Sequence, residues 1–191
     1  MILAEVVQTF QQRQLNYSQE NKNFCPRGKL LPMSTPIKDS TVSFLGMAKG
    51  FYLKDLATIN DEQLTTKPNG RARRPIDFSY EVVSANRGIL SMLKQEPASE
   101  QPEGPKDGIW AAAPDGYNRA QLEADLSSSI DNIIGFVSGL SEEQLVAVIP
   151  SWFGEVPLFS FAMFAGVHTN YHNGQIAYVA ELAGDLDNHW F

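Results

Sequence analysis

Cysteine is almost missing from this chain: Cys25 is the only one in 191 residues. A lone thiol cannot close an internal disulfide or build a thiolate metal site by itself, which excludes disulfide scaffolds and zinc-finger chemistry. Histidine is scarce as well, and any imidazole site must come from His168, His172 and His189. Positive charge is in deficit, with 15 Lys and Arg against 22 Asp and Glu and a net charge of −7. Phosphate recognition needs a clustered basic footprint. The one dense cluster, Arg71, Arg73 and Arg74, is too short for a nucleic-acid arm, and no nucleic-acid partner is expected. Long hydrophobic runs are absent too. The longest, residues 156 to 167, is broken by Pro157 and Ser160 and falls well short of the roughly 20 residues a bilayer requires. No membrane span is expected. The first residues lack a positive segment and carry Glu5 inside the would-be apolar stretch, which argues against a secretory signal peptide. Together with the single cysteine, this points to a cytoplasmic protein.

What remains is the composition of a soluble globular chain, 43% hydrophobic and 19% charged, long enough for one domain with its own core. Residues 1–37 stand apart. Ile2, Val6, Val7 and Phe10 could form a short amphipathic helix, but a Gln/Asn-rich tract and then Pro26, Gly28, Pro32 and Pro36 follow. This stretch reads as a peripheral or disordered arm. Met33 stands at its end, and the pattern suggests that Met33 is the natural start.

Helical periodicity begins near residue 38. Phe44, Met47, Ala48, Phe51, Tyr52 and Leu56 recur at three- and four-residue steps, predicting a first helix over 38–59. Pro75 opens a second over 75–94, with Phe78, Val82, Ala85, Ile89 and Leu93 on one face. Asn118 opens a third, carrying Leu122, Leu126, Ile130, Ile133, Val137 and Leu140. Pro157 opens a fourth, ending at Gly184. Asn60…Gln63 and Ser141…Gln144 each follow a long helix with capping-box chemistry, a weak internal repeat. Residues 146–156 read as turn or short extended chain. Residues 95–117 are rich in Pro and Gly and form a long connection that can return the chain to its starting end. The expectation is an all-α fold, a four-helix bundle over 38–185 with a long crossover between the second and third helices and a short tail, 186–191.

The sharpest local feature is His168-Thr169-Asn170-Tyr171-His172. On a helix, residues i and i+4 lie about 6 Å apart on one face, close enough for two imidazoles to bind one divalent metal. Both share a stripe with Phe161, Phe164, Gln175 and Val179 and should look inward. Thr169 stands where a zinc-protease helix carries Glu, which excludes that class. The plain alternative is a pair of hydrogen-bonded interior histidines. His189 reads as an exposed tail residue.

The run His168 to Ile176 on the last long helix resembles the C-terminal signature of the DinB/YfiT-like superfamily, a His-x-x-x-His helix followed by a small residue and Gln. The two Glu-Gln-Leu turns resemble that family's segments after its first and third helices, and the likeness spans residues 38–184. It implies a divalent metal, commonly nickel or zinc, on three histidines with positions left open. The third histidine normally comes from the second helix, where this chain has none. By register against Asn86-Arg87, the family position falls at or beside Glu81. A carboxylate can replace an imidazole, and two His plus a carboxylate suits Zn, Fe or Mn. Otherwise Glu81, about 60° from Phe78 around the helix, is a solvated flank of the apolar face.

Asn86 falls in the middle of that face, where a buried amide needs a partner. It could support a metal ligand or cap a loop. Tyr171 and Gln175 are candidate pocket residues. The resemblance implies a metal-dependent enzyme acting on a small molecule, a thiol transferase or an isomerase that uses an external low-molecular-weight thiol. The alternatives are a non-catalytic ligand-binding module with a degenerate site, and an interaction protein that forms a homodimer through a helix face and the Trp110 and Trp152 loops.

Overall fold

The computed structural model describes residues 36–96 and 111–190. The expectations for the N-terminal arm, Cys25 and Met33, for most of the crossover and for Trp110 lie outside the described residues.

Among the described residues the chain is mostly helical, with six α-helices and one two-stranded sheet. Helix α1 spans Ile37–Leu56 and buries Thr41, Leu45, Ala48, Tyr52 and Leu56, a stripe at helical period. Pro36 precedes it and cannot cap it by side chain. The Glu142 carboxylate does so instead, accepting from the Ile37 and Lys38 N–H groups at 3.1 and 3.2 Å. The helix stops at Leu56, short of the expected 59. There the Thr58 hydroxyl and amide both turn back to the Asp55 carbonyl, a local bond that competes with helix continuation. The guanidinium of Arg119 takes the Leu56 and Ile59 carbonyls at 3.0 and 2.7 Å, satisfying acceptors that the helix end leaves open.

Helix α2 (Asp61–Thr65) has the expected reciprocal capping box between Asn60 and Gln63. A 3₁₀ turn at Pro68–Gly70 reverses the chain through positive φ at Asn69 and Gly70, and α3 (Pro75–Leu93) follows with Pro75 in its first turn. Helix α4 (Arg119–Ser138) opens on the Asn118–Gln121 capping box, and α5 (Glu142–Val146) opens on Ser141–Gln144. Residues 148–157 form an antiparallel hairpin, β1 (Val148–Ser151) and β2 (Gly154–Pro157), with Ile149 opposite Val156. Pro157 therefore ends a strand and stands just outside α6 (Leu158–Leu182).

Two apolar clusters fix the directions of the long helices. One joins Tyr52 and Leu56 of α1, Phe78 and Val82 of α3, Leu122 and Leu126 of α4, and Ile176 and Val179 of α6. The other joins Leu45, Ile89, Ile133 and Phe161 from the same four helices. Residue numbers rise from the second cluster to the first along α1 and α6, and fall along α3 and α4. So α1 runs parallel to α6, and both are antiparallel to α3 and α4. Helices α1 and α3 each pack on both α4 and α6. Helices α3 and α4 are parallel, and the segment just before α4 is tied to the first turn of α3, where Asp77 accepts from the Ala113 N–H at 3.2 Å.

Residues 185–190 fold back on α1. The Trp190 ring stacks on Phe51 with centroids 4.5 Å apart, and its indole N–H donates to Asp55 at 2.9 Å. His189, expected to be exposed, is half-buried and lies 3.1 Å from the Asp185 carboxylate. Among the described residues no helix is long and apolar enough to cross a membrane.

Candidate metal centre

Antiparallel packing of α3 on α6 brings Glu81 against the histidine face of α6. His172 is 1% exposed and Glu81 9% exposed; the His168 side chain is 18% exposed. Glu81 is therefore no solvated flank of its helix. His172 Nε2 stands 3.1 Å from His168 Nε2. Glu81 Oε1 lies 3.5 Å from the first and 3.8 Å from the second. Three donors bound tetrahedrally at about 2 Å from one zinc stand about 3.3 Å from one another, and the observed spacings bracket that value. This buried group can hold a metal ion, with a carboxylate and two imidazoles as its donors.

The surrounding side chains set the orientation of these donors. Gln175 Oε1 lies 2.8 Å from His172 Nδ1, one turn along the same helix. A carboxamide oxygen can only accept, so Nδ1 carries the proton and the Nε2 lone pair faces His168 and Glu81. His168 Nδ1 is buried without a hydrogen-bond partner among the described residues. Phe78 stacks on His172 at 5.7 Å and Phe164 on His168 at 6.2 Å, and the two imidazoles meet edge to face at 4.7 Å. The rings make an apolar wall that fixes both rotamers.

Arg73, in the turn before α3, holds the other carboxylate oxygen, Oε2, of Glu81. The same guanidinium lies 5.9 Å over the Phe78 ring. Burial pushes the Glu81 carboxyl upward, but hydrogen bonding with His168, His172 and Arg73 outweighs it and holds the group well below the usual carboxylate range.

The structure thus brings together Glu81, His168, His172 and Gln175. Tyr171 is 65% exposed and only borders the site, its ring edge-on to His172 at 4.9 Å. Asn86 is fully buried, but its amide donates to Ser129 on α4 at 3.2 Å. Among the described residues it makes no hydrogen bond to the trio, and its carboxamide oxygen is buried without a partner. Sequence reasoning overlooked Arg73 and the ring of Phe78. No sequence pattern marks the Arg73 contact, because Arg73 lies in the turn before the helix that carries Glu81.

No protein-family model matches the chain, and comparison with curated proteins and with solved structures gives no match either.

Proposed function

We propose that the chain is a DinB/YfiT-like four-helix bundle that holds a divalent metal on Glu81, His168 and His172 and acts on a small molecule together with an external thiol. The observation that carries the reading is the convergence of Glu81 Oε1 and the two Nε2 atoms within 3.8 Å of one another in a buried setting. One carboxylate and two imidazoles suit Zn, Fe or Mn, and imidazole also accepts Ni. Three protein donors leave coordination open, the arrangement of catalytic rather than structural sites. A metal there supplies Lewis acidity, which lowers the pKa of a bound thiol and makes it a nucleophile near neutral pH. The protein's own part is orientation: Gln175 sets the His172 tautomer, Arg73 turns Glu81 so that Oε1 faces the imidazoles, and Phe78 and Phe164 keep water from the ring faces. Such supporting contacts tune metal affinity as the ligands themselves do.

A second reading, a non-catalytic module in which the trio is a hydrogen-bonded cluster, rests on His168 Nδ1. That atom is buried and has no partner among the described residues, so a proton on Nε2, shared with His172, leaves no unsatisfied donor. Metal content decides between the two. Protein purified without a histidine tag or added metal should carry stoichiometric metal, lost in His172→Ala and reduced in Glu81→Gln. Metal-free wild-type protein that takes up none of Zn, Ni, Fe or Mn on titration supports the module.

A further inference from the structure

The proposed metal site uses one member of the basic run at residues 71 to 74. Among the described residues, Arg73 pairs with Glu81 and Arg74 with Asp77, whereas Arg71 is exposed and has no ion-pair partner. Arg71 and Arg73 both line a cavity of about 690 Å³ between the turn before α3 and the second half of α6. That size lies in the range of small-molecule sites. Phe78, Tyr178 and Val179 supply apolar surface to it, and Gln175 a polar edge. None of the described residues that line it is acidic, in a chain whose net charge is −7.

We infer that this cavity binds a small monocarboxylate with an aromatic or branched apolar body, its carboxylate on Arg71 and its body against Phe78, Tyr178 and Val179. The charge argument selects an anion, because the Arg71 guanidinium meets no counter-charge from the lining, while Arg73 is already neutralised by Glu81 outside it. One free guanidinium offers a planar fork matched to the two oxygens of a single carboxylate. A phosphate dianion would leave one of its charges unmatched, since Arg71 is the one unpaired cation among the described lining residues. The apolar surface selects the body, since a purely polar acid would leave the exposed Tyr178 and Leu182 unmatched.

The cavity adjoins the metal ligands through two side chains. Gln175 lines it and holds His172 Nδ1, and Phe78 lines it and stacks on the His172 ring. The binding of the acid stands without a metal; its role as the substrate of the trio rests on the reading proposed above.

The test is equilibrium titration of the full chain with 2-naphthoate and with the neutral 2-naphthamide of the same shape. The acid should bind at least about tenfold more tightly than the amide, since a bidentate charged pair is absent from the latter. Arg71→Ala should weaken the acid by about tenfold to a hundredfold and leave the amide unchanged, and Arg71→Lys should recover part of the loss. Arg71 is exposed, so these substitutions do not threaten the core. Equal affinity for acid and amide, a preference that survives Arg71→Ala, or no acid binding overturns the proposal. His172→Ala separates the two readings. Acid binding that persists after metal is lost upholds the cavity assignment, and acid binding that vanishes with the metal shows the carboxylate on the metal and overturns it.

Discussion

Arg73 grips one oxygen of Glu81 and leaves the other to face two imidazoles. One carboxylate thereby serves a cation in the preceding turn and the donor set on α6 at the same time. The carboxylate is nearly buried, its side chain 11% exposed against 26% for Arg73, so Glu81 cannot rely on water to offset its charge.

Removing the guanidinium therefore has a cost that depends on the metal. Arg73→Ala should destabilise metal-free protein by about 1–3 kcal/mol, the range for leaving a buried polar group unsatisfied. In metal-loaded protein the loss should be smaller, because the cation takes over the neutralisation of Glu81. Denaturant unfolding of both proteins with and without zinc measures the difference.

Gln175 is a positioning residue. Gln175→Leu removes the acceptor at His172 Nδ1 and should lower metal affinity about tenfold to a hundredfold, the usual range for an outer-shell partner. Competition against a chromophoric chelator reads the affinity. Gln175 is only half-buried, so the melting temperature of the metal-free protein should change little.

The first helix depends on a carboxylate far along the chain. Pro36 offers no side-chain cap, and Glu142 takes the Ile37 and Lys38 N–H groups across more than 100 residues. Glu142→Ala should cost about 1 kcal/mol, as loss of an N-terminal cap does. Glu143→Ala, next to it and without such a bond, serves as the control in the same unfolding assay.

Tyr52 gives the alkaline limit. Burial raises its phenol far above the usual range, against a smaller opposing effect from its hydrogen bond to Ser79. A raised folded-state value stabilises the protein fully below the unfolded value, about 10, and that stabilisation is lost as pH rises above it. Phenolate absorbance should show Tyr52 ionising only with unfolding. In Tyr52→Phe the base-induced loss of stability should be shallower, and a fold whose Tyr52 titrates with the exposed tyrosines contradicts the burial.

The long helices were legible because their stripes are local and periodic: Leu122, Leu126, Ile130, Ile133 and Val137 bury as spaced. The capping boxes at Asn60, Asn118 and Ser141 were legible for the same reason, since donor and acceptor lie three residues apart. The hairpin is legible only as turn or short extended chain, because Pro150 and Pro157 weaken a strand pattern already short. At the candidate site the His168–His172 spacing announced itself, whereas Glu81 was reached by register with a family likeness and not by any pattern of its own. The contact between Arg73 and Glu81 was beyond the sequence, as it depends on how the turn through Asn69 and Gly70 folds onto α3. The same holds for Asn86, whose partner Ser129 comes from a helix more than 40 residues away.

The most direct measurement is anomalous scattering from crystals of the untagged protein grown with zinc. The account predicts one strong peak within bonding distance of Glu81 Oε1, His168 Nε2 and His172 Nε2, absent from crystals of His172→Ala. Ordered His168 and His172 with no anomalous density between them, or zinc bound only elsewhere on the surface, would contradict it.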